Sequence, residues 1–181
     1  MLTRSLVALC LLGAAPLLEA QATATASRAA DLQAGFGYTF AKPGYVPQTT
    51  QGFTAYVDLD LNLHLGIEAE FHQINSSSGD QSYQRTYEIG GRYFRTYGRL
   101  VPYAKGMVGR GVFDYPNNGA SLAYNIFAGG AGLDARLSNR LHLRGDYEFQ
   151  KWFGFHNGST DPQLVTIGVA YHFDSKPKYS H

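Results

Sequence analysis

The amino-acid sequence predicts an all-β protein, an eight-stranded antiparallel up-and-down transmembrane β-barrel. Polar and apolar residues alternate with a period of two along most of the chain after residue 30, as in strands whose two faces meet different surroundings. Only 16% of the 181 residues are charged, against about 25% in an ordinary soluble domain. After residue 22 no apolar run approaches the length of a transmembrane helix, so a chain that crosses a membrane has to close into a barrel.

Residues 1–22 resemble a secretory signal peptide. Arg4 supplies a positive charge, residues 6–18 form an apolar run, and residues 20–22 have the A-x-A pattern of a cleavage site. The only cysteine, Cys10, lies in this segment, so we expect neither disulfides nor cysteine-bound metal in the mature chain. The predicted organisation is a signal peptide (1–22), a short segment (23–30), the barrel (31–173) and a short periplasmic tail (174–181).

Strands one to four are predicted at 31–41, 52–61, 64–74 and 83–94. Each alternates apolar residues with small or polar ones, beginning on the apolar side with Leu32, Phe53, Leu65 and Tyr87. Only two residues separate the second and third strands, which leaves room for a tight hairpin and nothing longer.

Strands five to eight are predicted at 101–112, 122–137, 141–152 and 164–173. The fifth has the least distinct phase. We place Tyr103, Lys105, Met107 and Gly109 toward the interior, because this phase keeps the charge of Lys105 away from lipid. The other three strands show clear alternation, as in the row that begins with Val165.

The connections alternate between long and short. The long ones are 42–51, 75–82, 113–121 and 153–163, and the short ones are 62–63, 95–99 and 138–140. An even number of strands with short turns at one end and longer loops at the other is typical of outer-membrane barrels. We expect the long loops to face the exterior, where an extracellular partner would bind them.

Alternation alone leaves open which face points outward, and a soluble periplasmic barrel with an apolar ligand cavity is the alternative. Small residues on the polar face favour lipid on the outside, because an eight-stranded barrel has a narrow interior. Aromatic residues near the strand ends resemble the two girdles of a membrane barrel. The small residues of the polar face are Gly35, Gly37, Gly66, Gly90, Gly109, Gly130, Gly132 and Gly168.

The last strand ends in an apolar row that includes Val169, Tyr171 and Phe173. This row resembles the C-terminal signal by which the barrel-assembly machinery recognises outer-membrane barrels. The segments 102–109, 131–134, 141–144 and 168–173 together resemble the OmpA-type outer-membrane β-barrel family. The resemblance implies a barrel in the outer membrane of a Gram-negative bacterium, in contact with its lipid and with both termini in the periplasm. It implies little about activity, because members of this family have many roles.

Charged residues on the polar face predict a network that fills the lumen, because buried charges need partners. Its members are Asp58, Asp60, Glu68, Glu70, Glu88, Arg92, Lys105, Asp134, Arg136, Arg144, Asp146 and Glu148. With acids in excess of bases, the alternative to structural filling is a narrow, gated, porin-like path that prefers cations.

The expected function is a non-enzymatic structural, envelope or surface-interaction role. A lipid-modifying enzyme remains an alternative through His156 and Ser159, although these lie three residues apart in a Gly-Asn loop. The pairs Asp58 with Asp60 and Glu68 with Glu70 could offer oxygen ligands, but membership of the lumen network is favoured. We predict no catalytic residues, no metal site and no cofactor. A net charge of +1 without a basic cluster argues against nucleic acid as a partner.

Overall fold

The computed structural model describes residues 31–44, 49–75, 83–115, 120–155 and 158–173. The predicted signal peptide, the segment 23–30, the tail 174–181 and His156 lie outside the described residues. Within the described part of the chain, no helix is long and apolar enough to span a membrane.

The described residues contain nine β-strands, and eight of them form a closed antiparallel ring. β1 pairs with both β2 and β9, β6 pairs with β7, and β7 pairs with β9, so no barrel strand has a free edge. The predicted eight-stranded antiparallel barrel is therefore confirmed. The strands are β1 (Asp31–Lys42), β2 (Thr50–Asp60), β3 (Leu65–Asn75), β4 (Tyr83–Phe94), β5 (Leu100–Tyr115), β6 (Ala120–Arg136), β7 (Leu141–Phe155), β8 (Gly158–Thr160) and β9 (Gln163–Phe173).

The two ends of the barrel differ. The turn end carries the connections 61–64, 95–99 and 137–140 and both ends of the barrel chain, and the loop end carries the other connections. The side chain of Asn62 stabilises one turn by accepting 2.9 Å hydrogen bonds from the backbone N–H groups of His64 and Leu65. Ser138 makes equivalent bonds to Arg140 and Leu141 in another.

Strands β5, β6 and β7 extend further toward the loop end than predicted. β5 and β6 stay paired up to Tyr115 and Ala120, so their hairpin projects beyond its neighbours. The register of β7 against β8 shifts between Trp152 and Phe155, where Gly154 has a φ of 102°. β7 therefore continues through this irregularity to Phe155, whereas its predicted end was Trp152. The short strand β8, which pairs with this part of β7, was not predicted from the sequence.

Large apolar side chains cover the outside of the barrel. Ile67, Phe127 and Ile167 are 41%, 56% and 57% exposed, whereas polar residues line the interior. On β5 the residues at even positions from 102 to 108 are exposed and Lys105 is buried, which is the predicted phase. A row of aromatic rings crosses the outer surface of β1 to β4, with centroid separations of 5.1–5.9 Å, and comprises Phe36, Phe53, Phe71 and Tyr87.

Glycines facing inward make room for large interior side chains. A Cβ added to Gly35 would collide with the ring of Tyr56, and one added to Gly132 would collide with the ring of Tyr103. Outward-facing Gly106, by contrast, has nothing within 4 Å of that position. The glycines therefore allow tyrosine and long charged residues to fit a narrow lumen.

Candidate functional site

Two arginines and two aspartates form a layer across the lumen near the turn end. Arg144 binds Asp134 through Nε to Oδ1 at 2.7 Å and Nη2 to Oδ2 at 2.8 Å, and Nη2 also binds Asp58 at 2.6 Å. Arg92 binds Asp58 at 2.5 Å and Asp134 at 3.0 Å. We call these four residues the arginine layer. It joins β2, β4, β6 and β7, including strands that are not neighbours in the sheet.

Tyrosine rings flank both guanidinium groups of the arginine layer. The guanidinium carbon of Arg144 lies 4.0 Å from the ring centre of Tyr56, and that of Arg92 lies 4.4 Å from the ring centre of Tyr103. Arginine suits such a position because its planar, weakly hydrated group combines ring stacking with paired bonds to carboxylates. The rings displace water from the charges that they cover.

Lys105 occupies the next layer toward the loop end. Its Nζ lies 2.6 Å from Glu70, 2.9 Å from Glu148, 3.0 Å from Asp146 and 3.5 Å from Glu68. Asp146 also accepts a 2.6 Å hydrogen bond from the hydroxyl of Tyr103, which connects this layer to the arginine layer. One ammonium group therefore faces four carboxylates.

His72 lies beside Lys105 and faces three glutamates. Its Nε2 is 3.6 Å from Glu70 Oε2, 3.6 Å from Glu148 Oε1 and 3.9 Å from Glu88 Oε1. Nδ1 is 2.6 Å from the hydroxyl oxygen of Thr54, whereas Nε2 is buried and has no hydrogen-bond partner among the described residues. We call His72 and the three glutamates the His72 cluster.

Trp152 is buried in the interior toward the loop end. Its indole Nε1 donates a 2.9 Å hydrogen bond to Gln150, and the amide of Gln150 donates to Glu88 at 2.7 Å and to Glu148 at 2.8 Å. The Trp152 ring packs against Phe113, with centroids 4.9 Å apart. The buried apolar cluster here, which we call the loop-end cap, consists of Met107, Phe113, Ile126, Ala128 and Trp152.

The opposite end of the interior also carries apolar residues. Phe94, Val101 and Tyr103 are buried together near the turn end. The charged layers therefore lie between two groups of apolar side chains, and the interior polarity is highest midway along the barrel.

Buried acids outnumber buried bases inside the barrel. Among the described residues the interior contains seven buried carboxylates and three buried arginine or lysine side chains, an excess of four. Protons or cations have to offset part of this excess, since isolated charges in a low-dielectric interior are costly. The acids are Asp58, Glu68, Glu70, Glu88, Asp134, Asp146 and Glu148, and the bases are Arg92, Lys105 and Arg144.

Two residues of the predicted network lie apart from these layers. Arg136 is exposed at the end of β6, and Asp60 is half-buried at the end of β2. Neither belongs to an ion pair among the described residues, and Asp60 Oδ1 is buried without a hydrogen-bond partner there. Alternation placed His72 on the inner face as a hydrogen-bonding side chain but singled out neither Gln150 nor Trp152. The inward position of Trp152 could have been predicted, because Trp152 lies an even number of residues after Glu148 on β7 and therefore faces the same side.

The residues predicted to form the assembly signal face outward on β9. Val169, Tyr171 and Phe173 are 49%, 43% and 46% exposed, and the Tyr171 and Phe173 rings contact each other edge to face. Phe173 is the register partner of Leu32 on β1. These side chains therefore lie at the seam where the first and last strands meet.

Comparisons with known proteins agree with this architecture. Residues 6–173 match the family described as outer membrane protein beta-barrel domain. Among curated protein sequences, none matches the chain.

Three solved structures illustrate the similarity in fold. Neisserial surface protein A aligns with a TM-score of 0.56 and 14% identity, covering 80% of this chain and 97% of its own. Ail of Yersinia pestis, in complex with the heparin analogue sucrose octasulfate, gives 0.54 and 19%, covering 81% and 100%. OprG from Pseudomonas aeruginosa gives 0.57 and 15%, covering 82% and 98%. At these identities the likeness concerns the fold alone.

Proposed function

Because the chain belongs to the outer membrane protein beta-barrel domain family, we propose that it is a non-enzymatic outer-membrane barrel with a closed lumen. It acts through its lipid-facing surface and its loop end, in stabilising the envelope or in contacting partners outside the cell. The observation that carries this proposal is Trp152, which is fully buried in the interior next to the charged layers.

The packing of the interior supports a lumen without a continuous water path. An ion entering from the loop end would meet the loop-end cap and then the His72 cluster. Further on it would have to displace Arg92 and Arg144 from Asp58 and Asp134, and breaking buried ion pairs of this kind costs about 3–5 kcal/mol each. We therefore expect conduction to be negligible at ordinary membrane potentials.

Single-channel recording tests the closed lumen directly. The barrel, isolated from outer membranes after expression of the full chain, is reconstituted in a planar lipid bilayer. We expect no conductance steps across voltage and salt. Steps that favour cations would instead support the narrow-pore alternative, for which the excess of interior carboxylates is the motivating observation.

Basic side chains near the loop end support a role at the membrane surface. On the outward face, Lys42, Arg110 and Lys151 are exposed and Arg85 is half-buried. Arg85 lies over the ring of Tyr83 at 4.4 Å and donates a 3.2 Å hydrogen bond to Gln73. Interfacial arginine and lysine suit the phosphate groups of anionic lipid.

A lipid-dependence measurement tests this surface role. We expect phosphate-rich outer-membrane lipid to raise the unfolding temperature of the barrel above its value in zwitterionic vesicles. The double substitution of Arg110→Gln with Lys151→Gln should reduce that gain, whereas Arg99→Gln at the turn end should not. An equal gain in all three proteins would contradict a specific contact at the loop end.

Cell assays separate an envelope role from a surface-interaction role. A strain that lacks the protein should become more sensitive to detergent if the protein stabilises the envelope. Ail, which shares the fold, is named an attachment invasion locus protein and has been seen with a heparin analogue. If this chain also acts in attachment, cells that produce it should adhere to a heparin-coated surface better than cells that lack it.

Export and assembly form part of the proposal. We expect the chain to leave the cytoplasm with residues 1–22 removed and to enter the outer membrane through the barrel-assembly machinery. Amino-terminal sequencing of the outer-membrane form should then begin at Thr23. If the chain were a lipid-modifying enzyme, Ser159→Ala would abolish a mass change in outer-membrane lipids. We expect Ser159→Ala to leave the lipid masses unchanged.

A further inference from the structure

We propose that Glu70, His72 and Glu148 form a binding site inside the barrel for one divalent first-row transition-metal ion, of which Zn²⁺ is the convenient probe. This inference goes beyond the proposed surface role and departs from the sequence-based expectation of no metal site. It rests on the separations of the ligand atoms, on the orientation and the unpaired Nε2 of His72, and on the negative charge of the cluster.

The three side chains offer ligand atoms at suitable separations. One imidazole nitrogen and two carboxylate oxygens all lie within 4.8 Å of one another. His72 Nε2 is 3.6 Å from an oxygen of each glutamate. Ligand atoms bonded tetrahedrally to one Zn²⁺ at about 2.1 Å lie about 3.4 Å apart, so small side-chain movements would complete the set. Glu88, 3.9 Å from the same nitrogen, provides a further carboxylate beside the site.

The imidazole of His72 is oriented as a metal ligand would be. The Thr54 hydroxyl oxygen lies 2.6 Å from Nδ1 and accepts a hydrogen bond from it in the Nδ1–H tautomer, which leaves the lone pair of Nε2 directed at the glutamates. Metal-binding histidines are usually held by such a bond at the second nitrogen. His72 is 1% exposed and its Nε2 has no hydrogen-bond partner among the described residues, which is unfavourable unless a ligand binds there.

The charge of the cluster matches one divalent cation. Glu70, Glu88 and Glu148 carry three negative charges when ionised, and Lys105 is the only lysine or arginine among the described residues that forms an ion pair with them. The arginines contact Glu68, Asp58 and Asp134 instead. Lys105 is shared with Asp146 and Glu68, so at least two negative charges remain on the ionised glutamates, and a divalent ion would offset them. A mixed imidazole and carboxylate set favours Zn²⁺, Fe²⁺ or Mn²⁺ over Ca²⁺.

The position of the site predicts how it is loaded. Gln150 and Trp152 lie on its loop-end side and the arginine layer on its turn-end side. An ion should therefore enter while the barrel closes and exchange slowly afterwards. The test has to supply metal during folding.

Elemental analysis after refolding tests the proposal. The full chain is refolded in detergent micelles with Zn²⁺ and then passed through a desalting column with a chelator. We expect one zinc ion per folded barrel in the unsubstituted protein and a loss of zinc in His72→Gln. His142→Gln is the matched control, because His142 is also buried in the lumen but stacks on His172 away from the cluster. It should retain the ion.

A second variant guards against a failure to fold. Folding is checked by the heat-dependent gel shift, and if His72→Gln does not fold, Thr54→Val takes its place. That variant should lower zinc affinity by about 10- to 100-fold, the usual cost of losing a bond that orients a ligand. Absence of zinc from the folded unsubstituted barrel would overturn the proposal and assign the cluster to proton sharing among glutamates. Equal zinc content in the folded His72→Gln barrel, or an unchanged zinc affinity of Thr54→Val when a competing chelator is present during refolding, would overturn it as well.

Discussion

Arg144 and Asp134 are register partners on neighbouring strands, and they form a two-pronged ion pair in the interior. The same guanidinium group also binds Asp58 on β2, which lies across the lumen. Arg144 therefore connects the two sides of the barrel as well as adjacent strands.

Replacing Arg144 should strongly destabilise the barrel. Arg144→Met leaves Asp58 and Asp134 with only Arg92 as a cationic partner. Removing one partner of a buried ion pair costs about 3–5 kcal/mol. Urea unfolding in micelles, followed by the gel shift, measures the loss. Arg99→Met, in the exposed turn before β5, should change the free energy of unfolding by less than about 0.5 kcal/mol. Similar losses in both variants would contradict the role assigned to Arg144.

Lys105 should be required for charge balance rather than for packing. Lys105→Met keeps much of the side-chain volume but leaves Glu70, Asp146 and Glu148 without their shared ammonium group, so we expect a loss of about 3–5 kcal/mol. Adding Asp146→Asn removes one unpaired charge and should restore part of the stability. Chemical denaturation of the single and double variants checks this. A double variant less stable than Lys105→Met would show that packing dominates.

The only tryptophan of the chain makes the loop-end cap visible by fluorescence. A Cβ at Gly111 would collide with the Trp152 ring, so Gly111→Ala should displace that ring, shift its emission to the red and cost about 1–3 kcal/mol. Gly106→Ala on the same strand meets nothing within 4 Å and should leave the emission unchanged. Emission spectra and acrylamide quenching measure both effects. An unshifted Gly111→Ala spectrum would argue against the cap.

The aromatic end of β9 should affect assembly more than stability. Phe173→Ala is expected to reduce the amount of heat-modifiable barrel in outer membranes several-fold. Phe127→Ala removes an outward ring of similar exposure from β6 and serves as the control. Both purified proteins, once refolded, should have similar unfolding curves. Equal amounts of the two variants in outer membranes would show that Phe173 has no special part in recognition.

The sequence could predict the strands because lipid and lumen impose opposite demands on alternate residues. On β5, where alternation is weak, the cost of placing Lys105 in lipid was enough to choose the phase. The same rule treats the interior as polar along its whole length. It gave no indication that Phe113, Ile126 and Trp152 meet inside the loop end, where the strands extend beyond the charged layers.

The His72 cluster could not be predicted in the same way. Alternation assigns Glu70, His72 and Glu148 to the inner face, but they belong to β3 and β7, which are not neighbours in the ring. Which residues meet across a lumen depends on the tilt and stagger of the strands. A single sequence carries no direct signal for those quantities.

The cross-lumen position of the arginine layer has a kinetic consequence. Within that layer Arg144 on β7 binds Asp58 on β2, on the far wall, so this bond forms only after β1 and β9 have met. Interactions made after the rate-limiting step slow unfolding without accelerating folding. The arginine layer should therefore prolong the residence of the finished barrel in the membrane while leaving its insertion rate unaffected.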